Sequence, residues 1–195
     1  MKVIGLTGGI ASGKSTASAY LRELGAAIVD ADAISRASTR RGGAAFEAVC
    51  AAFGDILGAD GEIDRRKLGG IVFADEDARC KLNSIVHPAV MAESRAQIEN
   101  ARASGVKVCI LDVPLLFETG MEKLCDETWL IYVPREEQIR RMAERDGLDA
   151  AAAAARIDSQ MPLEEKLKRA DVAIDSSGAI EQTREKLRRL WEERT

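Results

Sequence analysis

The feature that most constrains the fold is a glycine-rich motif near the N-terminus. Residues 8–15 read Gly-Gly-Ile-Ala-Ser-Gly-Lys-Ser, which satisfies the pattern Gly-x4-Gly-Lys-Ser. The motif follows a short apolar run, Val3–Leu6, and precedes a helix-compatible stretch that begins at Thr16. In this strand–turn–helix context, glycines let successive backbone N–H groups turn toward a polyphosphate. We call residues 8–15 the phosphate loop. The alternative interpretation is a glycine turn that matches the motif by chance.

The charged and hydroxyl side chains of the loop suit a nucleotide with a divalent cation. Lys14 can extend its charge toward the β and γ oxygens, and the Ser15 hydroxyl can ligate Mg²⁺. The residues of this region predicted to bind the nucleotide are Gly9, Ala11, Ser12, Gly13, Lys14, Ser15 and Thr16, and Lys14 is also a predicted catalytic residue.

Composition excludes several other classes of protein. The 195 residues are 46% hydrophobic, enough for one domain with inserted lobes, and the net charge of −4 gives no basic surface for nucleic acid or anionic membrane. Four dispersed cysteines and a single histidine, His87, are too few for a conventional zinc site. The chain has no leader-like start and no run of about 18 apolar residues. We expect a cytoplasmic monomer, or a small homo-oligomer, with small-molecule partners only.

Five short apolar segments predict strands, and helical or loop stretches separate them. The segments are residues 2–6, 26–30, 106–112, 127–133 and 172–175. Their nearly continuous apolar character is typical of a parallel sheet covered by helices on both faces. Polar residues gather where each run ends, and ligands of open α/β sheets bind at the carboxyl ends of the strands. The sequence therefore predicts an α/β fold with a binding crevice at that edge and a final helix near 180–191.

About 75 residues lie between the second and third predicted strands, too many for a simple crossover helix. Amphipathic stretches near 43–53, 64–73 and 87–103 predict an inserted helical lobe, with His87-Pro88 at the start of its last helix. We therefore predict a helical acceptor lobe over residues 33–103. The nucleotide-binding core is predicted to comprise residues 1–32, 104–134 and 169–195.

Residues 135–168 are rich in Arg, Glu, Asp and Ala, including the alanine run 150–155, and they carry few large apolar groups. Such a segment can be helical yet weakly anchored. It is interpreted as a mobile helical lid, and a solvated helical hairpin remains the alternative.

Absent motifs narrow the class of nucleotide-binding protein. No Asn-Lys-x-Asp sequence is present, which argues against a GTPase. The third strand ends in Asp112-Val113 rather than the Asp-Glu pair common where an ATPase activates water. A helical insert and an arginine-rich lid favour a small-molecule kinase. A nucleoside or nucleotide kinase, and a nucleotide-dependent regulatory switch without an acceptor, remain as rivals.

Several motifs in order resemble the dephospho-CoA kinase family, from about residue 3 to about residue 180. They are residues 4–16, Val29–Asp32, Asp64-Arg65, Leu68, Val72-Phe73, His87-Pro88, Asp112–Glu118, Arg145-Asp146, Arg156, Gln160, Ala170-Asp171, Ile174-Asp175 and Gly178. The resemblance implies a P-loop NTPase fold and transfer of the γ-phosphoryl group of ATP to the ribose 3′-hydroxyl of dephospho-CoA. This reaction is the final step of coenzyme A biosynthesis, and it implies ATP and Mg²⁺ as cofactors.

Two arguments point to Asp32 as the group that orients and deprotonates the acceptor hydroxyl. It follows the second strand, where an acceptor would meet the γ-phosphate, and the resemblance implies that the second acid of Asp-Ala-Asp is catalytic. Asp30 can serve local hydrogen bonding instead, and either acid can be a helix N-cap. Asp112 is a second candidate for Mg²⁺, acting through water, and its alternative role is to cap the turn after the strand.

The lid and the strand ends supply the remaining candidate residues. Arg140, Arg145 and Arg156 are predicted clamps on phosphoryl oxygens, with Arg140 and Arg145 catalytic and Arg145 and Arg156 on ATP, although each can be a solvated charge. The predicted acceptor-binding residues are Asp32, His87, Pro114, Leu115, Leu116 and Glu118, with a capped core histidine as the alternative for His87.

The sequence departs from the family pattern at two places. Ala11 stands where the family often has Gly, a difference that matters only at a position with positive φ. Ser176 and Ser177 follow the last strand where Asn is frequent.

Overall fold

A computed structural model describes all 195 residues and contains one five-stranded parallel sheet. The strands are β1 Lys2–Gly8, β2 Ala27–Asp30, β3 Val108–Asp112, β4 Glu127–Tyr132 and β5 Val172–Asp175. Their order in the sheet is β2-β3-β1-β4-β5. All five predicted strands are confirmed, and their ends differ from the predicted ones by at most two residues.

Apolar side chains from the central strands form the main core. β1 lies between β3 and β4, with Ile4 in register with Ile110 and Glu127. Ile4, Ile110 and Trp129 are fully buried. Each such burial stabilises the fold by roughly 1.5–3 kcal/mol, so the strand that carries the phosphate loop is among the best-anchored elements of the chain.

Nine α-helices accompany the sheet. They are α1 Lys14–Glu23, α2 Ala31–Ser38, α3 Phe46–Phe53, α4 Arg65–Ala74, α5 Glu76–Ala103, α6 Arg135–Asp146, α7 Ala150–Asp158, α8 Leu163–Arg169 and α9 Ile180–Glu192. Leu21 of α1 and Leu187 of α9 join the core cluster that covers the sheet. None of these helices combines the length and apolar character that a membrane crossing requires.

The chain divides into two compact units. The sheet unit comprises Met1–Val29 and Gln97–Thr195, and the insert unit comprises Asp30–Ala96. The insert unit has its own buried apolar residues, which include Phe46, Val49 and Ile56. The bounds assigned to the acceptor lobe and the lid from the sequence stay predictions.

The prediction that His87-Pro88 begins a helix is wrong. α5 begins at Glu76 and continues through Pro88, which lies in its interior. A proline inside a helix costs about 3 kcal/mol, because it removes one hydrogen bond and crowds the preceding turn. Val86 and Val90, on either side of Pro88, are both buried, and their packing offsets that cost.

A charged cluster joins the two chain ends to β4. Glu127 accepts hydrogen bonds from Arg194 Nη2 at 2.6 Å and from Trp129 Nε1 at 2.9 Å, and its carboxylate lies 2.6 Å from Lys2 Nζ. The Arg194 hydrogen bond is the main cause that lowers the pKa of Glu127 to about 2. Through Arg194, the cluster anchors the chain segment after α9 to Glu127 of β4.

Candidate active site

The phosphate loop joins β1 to α1 through two residues in the left-handed region. Ala11 has φ 58° and Gly13 has φ 86°, and Ala11 is the only non-glycine residue of the chain with positive φ. The backbone amides of Ala11, Gly13, Lys14 and Ser15 donate no hydrogen bond within the protein. Successive free amides at a helix N-terminus form a concave anion site. The local geometry therefore fits a phosphate group.

Close backbone packing explains why glycine occupies the start of the loop. A Cβ at Gly8 would lie 2.7 Å from the carbonyl oxygen of Ile131, and a Cβ at Gly9 would lie 2.6 Å from Gln138 Nε2. Ser12 is buried, and its hydroxyl has no hydrogen-bond partner. A buried polar atom without a partner is unusual in a native structure, and here it lies inside the predicted ligand site.

Lys14 is the first residue of α1, where the helix dipole disfavours a cation. Its ammonium group is hydrogen-bonded to the carboxylate of Asp112, the last residue of β3. Both side chains are mostly buried. Two residues predicted to serve ATP and Mg²⁺ are therefore adjacent, and each holds the other in place.

The oxygen groups near the loop fit Mg²⁺ that arrives with a nucleotide. The Ser15 residue is exposed at the start of α1, and Asp112 offers a carboxylate. No group of three or more His, Cys, Asp or Glu residues could hold a metal ion by itself. Mg²⁺ commonly binds through one or two protein groups, several waters and substrate phosphates. The donor set therefore suits MgATP rather than an independent metal centre.

Two glutamines that the sequence did not single out as contacts hold the tip of the loop. Gln138 of α6 donates to the carbonyl oxygen of Ile10 at 2.8 Å, and the amide of Ile10 donates to Gln160 Oε1 at 3.1 Å. Both backbone groups of Ile10 are therefore occupied by side chains of the predicted lid. Gln160 belongs to the family resemblance, whereas Gln138 was missed.

Arg141 is a further residue near the phosphate loop that the sequence does not single out. Its guanidinium donates to the carbonyl oxygen of Ser176 at 2.7 Å and to that of Ala11 at 3.4 Å, and Glu137 holds its Nε at 2.7 Å. One signal was available, because Gln138 and Arg141 are three residues apart and share a helix face. Composition indicates that α6 is rich in arginine, but it does not show which arginine shares a helix face with Gln138.

Ser176 ties the end of β5 to the phosphate loop. Its hydroxyl is 2.6 Å from the carbonyl oxygen of Ser12 and 3.1 Å from that of Tyr132. Ser177 instead bonds to Asp175, whose side chain accepts from the Ser177 hydroxyl at 2.6 Å. Ser176 therefore helps to position the phosphate loop, and this role does not depend on any contact with a nucleotide base.

Carboxylates of the predicted lid segment pair with all three arginines that are predicted to act as clamps. Arg140 pairs with Glu137 and Glu144 at 2.7 and 2.6 Å. Arg145 lies 2.8 Å from Asp146, and Arg156 lies 3.9 Å from the same carboxylate. Hydrogen bonding to Arg145 is the main cause that lowers the pKa of Asp146. Asp146 thus brings Arg145 and Arg156 together, whereas Arg140 lies among the acids of its own helix.

The turn after β3 contains two leucines that are predicted to bind the acceptor. Leu115 is 40% exposed, but Leu116 is fully buried and packs close to Gly5. Leu116 therefore packs in the core, and its role in the acceptor wall stays a prediction. The two adjacent leucines therefore differ in position: Leu115 lies at the surface, and Leu116 lies in the core.

Glu118 and Pro114 attach this turn to α8. Glu118 Oε1 lies 2.9 Å from Lys166 Nζ and accepts from the Met161 amide at 3.1 Å. The carbonyl oxygen of Pro114 accepts from Lys166 Nζ of α8 at 3.4 Å, and also from Thr7 Oγ1 of β1 at 3.0 Å. Lys166 is only 1% exposed, so its charge requires the Glu118 carboxylate.

In the insert unit, the two acids that follow β2 have different surroundings. Asp30 is the N-cap of α2, and its side chain accepts from the Ala33 amide at 2.9 Å. Asp32 lies in the first turn of α2 and is exposed. The structural role expected for one of the two acids therefore belongs to Asp30.

His87 lies in the wall of a cavity within the insert unit. Desolvation lowers the pKa of its imidazole, although the residue remains in contact with solvent. The cavity also has arginine side chains in its wall, which makes it a candidate site for an anionic ligand.

Comparison with known proteins decides the family. A family model described as dephospho-CoA kinase matches residues 2–182, nearly the whole chain. The chain belongs to the dephospho-CoA kinase family. The matched range includes the phosphate loop, the insert unit, the predicted lid segment and β5.

Named relatives agree with that membership. The dephospho-CoA kinase of Carboxydothermus hydrogenoformans is 53% identical over 188 residues, which cover 96% of this chain and 91% of the relative. The solved dephospho-CoA kinase from Campylobacter jejuni is 31% identical, with a TM-score of 0.76 and coverage of 98% and 96% of the two chains. A shikimate kinase from Acinetobacter baumannii in complex with shikimate shares only the fold, at 16% identity, a TM-score of 0.55, and coverage of 98% and 92%.

Proposed function

We propose that this dephospho-CoA kinase family member transfers the γ-phosphoryl group of ATP to the ribose 3′-hydroxyl of dephospho-CoA, which yields coenzyme A and ADP. The family match over residues 2–182 carries the proposal. The free amides of the phosphate loop beside Lys14 supply its physical basis, because they suit a polyphosphate donor.

On the donor side, the residues position charge rather than form covalent bonds. The loop amides and Lys14 bind the β- and γ-phosphate oxygens, and Ser15 and Asp112 are the groups that would hold Mg²⁺, the latter through water. Bound Mg²⁺ supplies positive charge that neutralises the phosphate oxygens. Lys14 must leave Asp112 at least in part as the phosphates bind, because one ammonium group then serves two kinds of acceptor.

On the acceptor side, Asp32 orients the 3′-hydroxyl and accepts its proton. The 3′-oxygen forms a bond to the γ-phosphorus, the bond from that phosphorus to the β–γ bridging oxygen breaks, and ADP leaves with the bonding electrons. Asp32 is exposed in the first turn of α2 and is therefore accessible to a ligand. The transition state for phosphoryl transfer is loose, so orientation by Asp32 matters as much as proton removal.

The lid arginines complete the proposed site by binding the phosphoryl oxygens. Arg145 and Arg156 share Asp146, and Arg140 is held by two glutamates, so each clamp exchanges a carboxylate for a phosphate oxygen. Such an exchange conserves most of the charge pairing and excludes water from the γ-phosphate.

The decisive experiment is a panel of acceptors assayed with MgATP. ADP formation should be selective for dephospho-CoA over nucleosides and nucleotides, and slow without any acceptor. Phosphorus NMR of the product should show a new phosphomonoester on the 3′-oxygen. Equal turnover with nucleosides would make the protein a nucleoside kinase, and tight nucleotide binding without acceptor-dependent turnover would make it a switch.

Removal of divalent cations with EDTA should abolish turnover, and added Mg²⁺ should restore it.

A further inference from the structure

The short helix α8 is anchored in the sheet unit by a cation. Lys166 is the only buried residue of α8, whereas Leu163 is partly buried and Leu167 is exposed. Lysine is almost never fully buried unless it is paired. A buried ion pair is also often no more stabilising than apolar residues of similar volume. Stability alone therefore does not explain why a lysine, rather than an apolar residue, occupies position 166.

The ammonium group of Lys166 holds the turn after β3. It lies 2.9 Å from Glu118 Oε1 and donates to the carbonyl oxygen of Pro114 at 3.4 Å. The same carbonyl oxygen accepts from Thr7 Oγ1 at 3.0 Å. Thr7 is fully buried and immediately precedes Gly8, the first residue of the phosphate loop. The contacts of Lys166 therefore reach the start of the phosphate loop through one shared oxygen atom.

Glu118 extends these contacts to the tip of the phosphate loop. Its Oε1 atom, which pairs with Lys166, also accepts from the amide of Met161 at 3.1 Å. The preceding residue, Gln160, accepts from the amide of Ile10 at 3.1 Å. The polar contacts that begin at Lys166 therefore reach the phosphate loop at two points, its start and its tip.

Packing contributes little to the position of the segment that carries Gln160. No residue between Ala153 and Lys166 is fully buried. A cavity of about 520 Å³ also borders this segment, and its wall includes Gly9, Gln160 and Lys166. Segments with few buried apolar contacts open locally at low cost. The position of Gln160 therefore depends on the polar contacts of Glu118 and Lys166 more than on packing.

We propose that Lys166 is a positioning residue for the phosphate donor: through Glu118 it holds Gln160 against Ile10, which keeps the amides of the phosphate loop directed at the phosphates of ATP. This inference rests on the proposed function and adds to it a residue that is too deeply buried to touch a ligand. It also assigns Glu118 to the donor side rather than to the acceptor. Phosphoryl transfer depends on positioning, so a small displacement of the loop lowers the rate.

The first test compares Lys166→Met with Lys168→Met. Lys168 is the matched control because it lies on the same helix and pairs with Glu165 at 2.7 Å, but at the surface. Lys166→Met should raise the Kd of a non-hydrolysable ATP analogue with Mg²⁺ by about 3- to 10-fold, the equivalent of about one hydrogen bond. It should lower kcat by about 10- to 100-fold. KM for dephospho-CoA should change less than about twofold, and Lys168→Met should behave as the wild type.

A second variant separates positioning from stability. Lys166→Met leaves the Glu118 carboxylate without its cation, which should lower the melting temperature. Adding Glu118→Gln removes that charge, and the glutamine can still accept from the amide of Met161. The double variant should therefore recover stability but not affinity for the ATP analogue. Recovery of both would show that the pair only stabilises the fold, and it would overturn the inference.

A double-mutant cycle tests whether Lys166 acts through Gln160. Gln160→Ala should also raise the Kd of the ATP analogue by about 3- to 10-fold. Combining it with Lys166→Met should cause little further loss, because both changes break the same contact with Ile10. Additive losses would overturn the inference. So would wild-type affinity for the analogue in Lys166→Met together with a raised KM for dephospho-CoA, a result that would assign Glu118 to the acceptor.

The titration also separates this inference from the function on which it rests. Binding of the ATP analogue is measured by calorimetry without any acceptor, so the result does not depend on the identity of the acceptor. A wild type without dephospho-CoA-dependent ADP formation would refute the proposed function. The affinities of the wild type, Lys166→Met and Gln160→Ala for the analogue would then still decide whether Lys166 positions the phosphate loop.

Discussion

The two units of the chain differ in whether the cations of their candidate sites are paired with carboxylates. In the sheet unit, Lys14 is paired with Asp112 and Arg145 is paired with Asp146. In the insert cavity, no carboxylate pairs with the arginines of the wall. A ligand of the sheet unit must therefore compete with carboxylates, whereas a ligand of the insert cavity meets cations that are already free.

This difference has a consequence for selectivity. Displacing a carboxylate from a cation costs part of the binding free energy. A weak anion therefore binds Lys14 with little net affinity, whereas a polyphosphate with Mg²⁺ binds more tightly. An unpaired arginine at a solvent-open cavity has no such internal competitor. With the proposed roles, we expect the phosphate loop to select its ligand by charge, and the insert cavity to select by where the anion lies relative to the rest of the ligand.

The largest expected effect lies on the acceptor side, at Asp32. Asp32→Asn should lower kcat by on the order of 10²- to 10⁴-fold, the usual range for a general base, while affinity for ATP remains nearly unchanged. Asp30→Asn is the matched control, since Asn caps a helix about as well as Asp and can still accept from Ala33. Steady-state kinetics and ATP titration measure both effects. Near-wild-type kcat in Asp32→Asn would exclude an essential base, and an equal loss in Asp30→Asn would show that the effect is not specific to Asp32.

The next effect tests the paired cation of the donor side. Lys14→Ala should lower kcat/KM for ATP by about 10²- to 10³-fold, because charge at the β- and γ-phosphates is lost. The variant also leaves Asp112 without its partner, which should lower thermal stability. Adding Asp112→Asn should restore stability but not activity, whereas exposed Lys168→Ala should change neither. An unchanged kcat/KM in Lys14→Ala would contradict the assignment of the loop.

A third test concerns the charge pairing that stabilises the sheet unit. The pKa of Glu127 is about 2 in the fold and 4.5 ordinarily, so its contribution to stability is present above about pH 4.5 and is lost as the pH falls toward 2. Glu127→Gln should therefore destabilise the protein by up to about 3 kcal/mol at pH 7 and by much less near pH 2.5. Denaturant unfolding at several pH values measures this difference.

The control for Glu127 is a neighbouring acid on the same arginine. Glu193 also contacts Arg194, at 2.7 Å, but its side chain is 66% exposed. Glu193→Gln should change stability by less than about 1 kcal/mol at any of these pH values. A loss in Glu127→Gln that does not shrink at low pH would show that packing, rather than charge, explains the effect.

The smallest effect is expected in the phosphate loop itself. Ala11 has φ 58°, which costs an alanine about 1–2 kcal/mol, and part of the gain from Ala11→Gly is offset by greater entropy of the unfolded chain. The substitution should raise stability by about 0.5 kcal/mol. Ala19→Gly is the control, because Ala19 is exposed in the interior of α1, where glycine should destabilise by about 0.5–1 kcal/mol. A lower melting temperature for Ala11→Gly would contradict strain at this position.

Features with a short sequence signal could be predicted, and features set by packing could not. Alternation between apolar runs and polar ends identified β1 and β3 and the edge at which Asp112 lies. His87-Pro88 was misinterpreted because local rules treat proline as a helix boundary, whereas burial of Val86 and Val90 maintains α5. Tertiary packing overrode propensity at that point.

The same limit explains the missed site residues. Arg140 and Arg141 are neighbours in sequence, but the helix rotates the second one toward the phosphate loop and leaves the first with Glu144. Leu115 and Leu116 differ in the same way, one exposed and the other buried. Choosing between adjacent residues requires the position of the partner element, which a single sequence does not contain.

The contacts of Ile10 give the phosphate loop a built-in reporter. Its N–H is held by Gln160 and its carbonyl oxygen by Gln138, so two different segments of the predicted lid meet at one peptide backbone. Deuterium exchanges slowly at an amide while its hydrogen bond persists and rapidly when the bond opens. The exchange rate of the Ile10 amide therefore measures how often the segment around Gln160 detaches from the loop, with no substrate added.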